Sequence, residues 1–398
     1  MTEKIVRISA RGEGVTESGR HLPFTAPGDK VAADGAITPG PHRIVPPCRH
    51  FPECGGCQLQ HLDDDSFGGF LVDRVASALA GQGIAATEIL VPHISPPVSR
   101  RRASLRAETR GRQVVLGFNA EKSHRVVDMR ECFILRTELF ALVEPLRRLM
   151  GQLLGPRGKG GVRMTWADQG ADILLEGIGV DTLEATEALA VFAETHRLAR
   201  LTLDDGSGPQ TRWEPEPVSV TLGGIAVPLP HGAFLQATLE GEEALVASVR
   251  QAVGPARIVA DLFAGLGTFA LALEGRVLAA EADREAAMIL KGVANRTQRP
   301  IFVDHRDLFR RPLQLAELNR FEAIVLDPPR AGAREQVEHL AVSSVPRIAY
   351  VSCNPVTFAR DAKLLVDGGY RLDWVRPVGQ FRWSTHAELA SQFTRAGE

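Results

Sequence analysis

Three of the five cysteines in this chain fall in the stretch "CRHFPECGGCQLQH", which puts Cys48, Cys54 and Cys57 beside a Gly-Gly pair. In a reducing cytosol, thiols gathered so closely are more often metal ligands or catalysts than parts of a disulfide framework. An odd cysteine count and an N-terminus, "MTEKIVRISARGEG", without an apolar signal core favour metal ligation in a reducing cytoplasm. A different setting surrounds Cys353, at the end of an apolar run in "YVSCNPVTFARD". A lone cysteine in an apolar strand is ordinarily core filling. Ser352 and Asn354-Pro355 indicate that the strand has ended, so the thiol is expected at a rim, where a nucleophile would work.

Acidic residues are expected at the ends of other strands. "VADLFAGLGTFALAL" ends a strand at Asp261, turns through Gly265 and Gly267 and is expected to open a helix, a turn that lets a ligand approach the backbone. "AAEAD" places Glu281 about 20 residues further on, where a carboxylate can bind both ribose hydroxyls. "DHRDLF" offers Asp307 near an adenine. The third glycine of a dinucleotide fingerprint is missing, since Thr268 and Phe269 follow Gly267, which favours S-adenosylmethionine over NAD. In "VLDPPRAG", Asp327 tops a further strand and two prolines fix the turn beyond it.

These residues need a frame. A length of 398 residues allows two or three domains, and 44% apolar with 24% charged residues fits a soluble globular protein. No apolar run approaches the roughly 20 residues of a membrane span. The net charge of −2 excludes a uniformly basic coat, yet Arg100 to Arg130 holds nine Lys/Arg against three Asp/Glu. That segment reads equally as a phosphate-tracking surface or a solvated sheet face.

The first forty-odd residues alternate and turn like a small barrel of short strands, and the Pro-rich "ITPGPHRIVPP" reads as a linker. A helix is expected over "SFGGFLVDRVASALAGQG", then two hairpins, then a helix and a strand, with "DDGSGPQTRWEPEPVSV" as a second linker. Beyond about residue 218, "RIVADLFA", "RVLAAEA", "RPIFVDH", "FEAIVLD" and "RIAYVSC" alternate with helical segments. That is the pattern of a doubly wound parallel α/β sheet, whose ligands bind at the carboxyl ends of the strands. The expected divisions are 1–45, 46–218 and 219–398, with the helix at about 64–82 packing on the last.

Taken in order, "CRHFPECGGCQLQH", "FLQ", "DLFAGLGTF", "LDPPRAG", "YVSCNP" and "STHAEL" resemble the RNA uridine-C5 methyltransferases, and over nearly the whole chain. The pattern is most similar to the iron-sulfur branch that forms 5-methyluridine in 23S ribosomal RNA. The resemblance implies a Rossmann-like class I methyltransferase domain at the C-terminus, an α+β central domain, and a small N-terminal TRAM/OB-like β-barrel that is short here. It implies S-adenosylmethionine as methyl donor and a [4Fe-4S] cluster on Cys48, Cys54, Cys57 and the distant Cys132; spacing alone leaves a structural zinc open. Cys353 would be the nucleophile and Glu388 the base, with Gln236, Phe263, Thr268, Glu281, Asp307 and Asp327 around the methyl donor. The expected partner is RNA, ribosomal first and transfer RNA as the alternative, for a cytoplasmic monomer with no membrane association. Two segments depart from the family pattern: Ala237-Thr238 after Gln236, where relatives often carry Val-Asn, and "GQFRWSTHAE", where an Asp-containing "FP" segment is usual. A non-catalytic RNA-binding assembly factor is the alternative reading, against which Cys353 and Glu388 speak.

Overall fold

In the computed structural model, which describes residues 2–180 and 182–395, the alternation in "EKIVRI" makes Glu3–Ile8 a strand with Ile5 and Ile8 turned inward. It is the centre of a five-stranded antiparallel sheet with Gly14–Thr16 and His21–Leu22 on one side and Lys30–Val31 and Ile37–Thr38 on the other. A register shift between Ile5 and Arg7 bends the central strand, so the sheet curls. The expected ends at residue 1 and at 396–398 lie outside the described residues.

The middle of the chain forms a six-stranded sheet in which Arg102–Arg110 pairs with both Gln113–Gly117 and Lys159–Ala167. Gly170–Glu176 and Arg200–Asp204 continue it, and Val143–Leu153 and Leu183–Thr195 are its two longest helices. Leu146, Leu149, Leu189 and Phe192 pack with Leu105, Val162 and Ile173 in the core beneath them. The stretch expected to be a linker contributes an edge strand instead, Gln210–Trp213. Trp213 anchors it by packing on that core and donating its indole N–H to the Leu198 carbonyl at 3.0 Å.

The strand-helix repeats beyond residue 218 form the expected parallel sheet. Its strands lie in the spatial order Ile301–His305, Arg276–Glu281, Ile258–Leu262, Ala323–Leu326 and Arg347–Ser352, all parallel. Leu245, Val249 and Leu290 belong to one core, while Val337, Phe358 and Leu365 belong to another, as in a doubly wound sheet covered on both faces.

The last strand, Glu388–Arg395, runs antiparallel between Arg347–Ser352 and Tyr370–Gly379. Its reversed direction makes it begin where Arg347–Ser352 ends. Leu389 pairs with Ser352, so the next residues along, Glu388 and Cys353, meet at the rim.

Residues 64–94 belong with this sheet in packing, although they precede the middle unit in sequence. The helix Asp64–Ala80, capped by Asp63, packs on the helix Pro355–Asp367, and Glu88–Ile89 and His93–Ile94 add to the edge at Tyr370–Gly379. The helix expected at about 64–82 thus packs on the C-terminal unit, and the two short strands after it extend that unit's sheet.

The helix expected straight after the Gly265–Gly267 turn is replaced by successive turns over 265–272. The Asp261 carboxylate accepts the Ala270 N–H at 2.8 Å, taking a donor that a helix would direct to its own backbone. No helix of the described residues is long and apolar enough to cross a membrane.

Candidate active site

Glu388 is 4% exposed at the start of its strand, and Cys353 is half-buried just past the end of the neighbouring one. Asp327, after the strand Ala323–Leu326, is the third group. Burial pushes the Cys353 thiol up, and the Glu388 and Asp327 carboxylates push it further, while Arg330 opposes them. Burial likewise pushes Glu388 to about 8, reinforced by Asp327 and opposed by Gln380, Arg102 and Arg330. Burial alone pushes Asp327 to about 7. Three acids whose ionisations compete thus converge at the carboxyl end of the sheet.

A buried amide holds one of them, Glu388. Gln380, 2% exposed, donates from Nε2 to Gln236 Oε1 at 2.7 Å and to Glu388 Oε2, and its Oε1 accepts the Ala237 N–H at 2.7 Å. The Gln236 carbonyl in turn accepts Arg101 Nε at 3.0 Å, and Arg101 pairs with buried Glu242 at 2.5 Å. The middle sheet is tied in this way to the segment carrying Gln236.

The other proposed methyl-donor residues cluster around the first turn of the parallel sheet. Gly265 adopts a φ of +56° and has open space where a Cβ would stand, whereas a Cβ at Gly267 would come within 2.5 Å of Leu290. Phe263 holds a left-handed φ of 66°, rare for a bulky residue, and its ring lies 5.5 Å from Phe309, two residues past Asp307. Glu281 accepts the N–H groups of Gly265 and Asp283, each at 2.7 Å, and Thr268 is half-buried in the same turn. Asp261 is fully buried and pushed to about 8, chiefly by desolvation, with Oδ1 unpartnered.

A cleft of about 590 Å³ opens between the middle sheet, the cysteine loop and the C-terminal loop. Arg100, Arg102, Lys122, Arg163 and Arg330 line it against only Glu121 and Asp172, and Phe381 and His386 contribute rings. The guanidinium of Arg102 stacks 4.3 Å from the centroid of the exposed Phe234 ring.

The four remaining cysteines, Cys48, Cys54, Cys57 and Cys132, line one small pocket with Gln60, Phe118 and Ile134. Desolvation raises all four thiols, Cys54 to about 11 and Cys57 to about 12. The backbone N–H groups of Gly56, His50, Phe51, Leu135 and Ile134 face the sulfurs and favour thiolates. Among the described residues no group of three or more His, Cys, Asp or Glu side chains is arranged to hold a single metal ion.

Sequence reasoning missed Gln380, Arg102 and Arg330. Arg330 lies inside the quoted "LDPPRAG" and Arg102 inside the basic run, but only the fold directs either at Glu388. Gln380 sits in the segment noted merely as a departure.

The chain is similar to known RNA methyltransferases. The family described as tRNA (Uracil-5-)-methyltransferase matches residues 301–395. An uncharacterized RNA methyltransferase of Zymomonas mobilis is 51% identical, covering 99% of this chain and 100% of that protein. A 23S rRNA (uracil(1939)-C(5))-methyltransferase of Photorhabdus laumondii is 29% identical over 90% of this chain and 84% of its own. The crystal structure of the Pyrococcus abyssi tRNA (uracil-54, C5)-methyltransferase in complex with S-adenosyl-L-homocysteine has the same fold, with a TM-score of 0.74 at 21% identity, covering 99% of this chain and 100% of that one.

Proposed function

The chain belongs to the RNA uracil-C5 methyltransferase family and is an S-adenosylmethionine-dependent enzyme; we propose that it methylates uridine in 23S ribosomal RNA through a covalent adduct on Cys353. The observation that carries the mechanism is the strand register that sets Cys353 beside Glu388 at the rim of the sheet.

Uracil C5 is a weak nucleophile. Addition of the Cys353 thiolate to C6 moves an electron pair into the C4–C5 unit as an enolate, and C5 can then attack an electrophile. S-adenosylmethionine, which Phe263, Glu281 and the Gly265 turn would hold, would supply that electrophile as a methyl group, with the S–CH3 electron pair leaving on S-adenosylhomocysteine. C5 now carries both methyl and hydrogen. Glu388 takes the C5 proton, the C–H electron pair forms the C5=C6 bond, and the C6–S bond breaks to return the thiolate.

Mutual repulsion of the acids supports this order. A thiolate at Cys353 and a carboxylate at Glu388 disfavour each other. Once the sulfur is bonded to carbon its charge is gone, so Glu388 ionises more readily at the step that needs a base. The target base must leave its stack to reach the rim, and the arginine-rich cleft would hold the flanking phosphates.

The cysteine pocket is where we place a [4Fe-4S] cluster. Four thiols surround one pocket, and their elevated pKa values mean that only a bound cation would hold them as thiolates at neutral pH. Cys48, Cys54, Cys57 and Cys132 would ligate it, and its role is structural, because uracil methylation transfers no net electrons.

The ribosomal assignment rests on similarity to the Photorhabdus enzyme along most of both chains. Mapping 5-methyluridine in ribosomal and transfer RNA from cells with and without the gene tests it. Loss of one 23S site is expected; loss confined to transfer RNA would contradict it.

A further inference from the structure

We propose that Gln380 is the positioning residue that aims Glu388, leaving Glu388 Oε1 as the atom that accepts the C5 proton. This rests on the reading of Glu388 as the base.

A primary amide offers two N–H donors and one acceptor oxygen. All three directions are used at Gln380: Nε2 serves Gln236 Oε1 and Glu388 Oε2, and Oε1 takes the Ala237 N–H. The amide orientation is therefore fixed. Reversed, it would set its oxygen against two acceptor oxygens and its NH₂ against a backbone donor. The side chain lies in the buried interior, so water cannot replace a lost partner. With Oε2 of Glu388 occupied, Oε1 remains for the substrate.

The same bond biases the charge. The groups facing Glu388 are Asp327 after the parallel strand Ala323–Leu326, Arg330 in the turn beyond it, Arg102 from the middle sheet and Cys353 across the register. Burial and Asp327 favour the neutral acid, while Gln380, Arg102 and Arg330 favour the carboxylate. Of those three, Gln380 is the uncharged hydrogen-bond donor, so it can orient one oxygen where a charge at a distance cannot. Gln236 is held by the same amide, so the segment placed at the methyl-donor side and the base share one anchor.

The test uses the full-length enzyme with an RNA substrate containing ordinary uridine, S-adenosylmethionine, and the variants Gln380→Met, Gln380→Glu and Glu388→Gln. Gln380→Met keeps the volume and removes the bonds; Gln380→Glu, isosteric, replaces the amide nitrogen by oxygen and serves should the first variant not fold. Removing the donor should slow the release step by on the order of tenfold, the loss expected of one hydrogen bond to a charged group. The methylated protein-RNA adduct should accumulate on denaturing gels above its level in the unmodified enzyme, and the acid limb of the turnover profile should move to higher pH. Adduct formation should keep its unmodified rate. A Gln380 variant that binds S-adenosylmethionine normally and shows neither accumulation nor a displaced limb would overturn the inference, as would equal slowing of adduct formation and release. If Glu388→Gln itself traps no adduct, the reading of Glu388 as base fails; if it traps adduct and the Gln380 variants do not, only the role of Gln380 fails.

Discussion

Trp383 packs against Cys57. Its ring, 5% exposed, shares a small core with Cys57 and Ile134, and its carbonyl accepts the N–H groups of Gln58 and Leu59 at 2.8 and 2.9 Å. Trp383 lies between Gln380 and Glu388 in the chain, so the thiol pocket and the base rest on opposite ends of one short loop.

The proposed cluster should therefore matter to the loop rather than to electron flow. Anaerobically purified protein is expected to contain about four irons per chain, measurable by inductively coupled plasma mass spectrometry; one zinc per chain would contradict the cluster. Chelation or Cys57→Ser should speed hydrogen exchange across 380–386 while the parallel sheet stays protected.

Turnover should rise with pH. Glu388 must be ionised to take the proton, and its folded value of about 8 lies above that of an ordinary carboxyl, so the acid limb should extend toward pH 8. Single-turnover rates of proton release to solvent from 5-tritiated uridine check this. A plateau already reached at pH 6 would show that the carboxylate titrates normally. Glu388→Gln should lower release about 10²- to 10⁴-fold.

The same shifts bear on stability, with a definite sign. Carboxyls held above their unfolded values bind protons more tightly in the folded state, so stability is greatest below the unfolded values and is lost as pH rises toward the folded ones. With Asp327 at about 7 and Asp261 and Glu388 at about 8, the window runs from about pH 4 to 8. Asp327→Asn should melt higher than the unmodified protein at pH 8, and the difference should vanish near pH 4.

Breaking the Arg101–Glu242 pair tests the tie between the middle sheet and the Gln236 segment. Their side chains are 8% and 7% exposed, so Glu242→Leu leaves a guanidinium buried without its partner. A loss of about 3–5 kcal/mol is expected in urea unfolding. A loss below about 1 kcal/mol would mean that the pair is effectively solvated.

Much of this architecture was legible because its signals are local. Short apolar runs separated by helical segments mark a parallel sheet, and strand-end acids such as Asp261 and Glu281 follow from where those runs stop. Gln210–Trp213 was not legible, because its strand is stabilised by Trp213 reaching a distant core, inside a segment whose composition reads as loop. The turns after Gly267 were hidden for a related reason: a carboxylate nine residues earlier captures the Ala270 N–H. Cys353 could be singled out from its flanking residues, whereas the proximity of Glu388 depends on an antiparallel strand inserted into a parallel sheet, and only its motif flagged it. Gln380 was legible only as part of a segment departing from the family pattern, since its three partners come from positions 236, 237 and 388.

The most direct test is chemical trapping. The enzyme is incubated with S-adenosylmethionine and a 5-fluorouridine-containing RNA substrate, in which the methylated adduct has no C5 proton to lose. A stable protein-RNA complex carrying one added methyl group should form, peptide mass spectrometry should place the bond on Cys353, and Cys353→Ala should yield none. An undiminished complex from Cys353→Ala, or methyl transfer to uridine by that variant at the unmodified rate, would contradict the covalent mechanism.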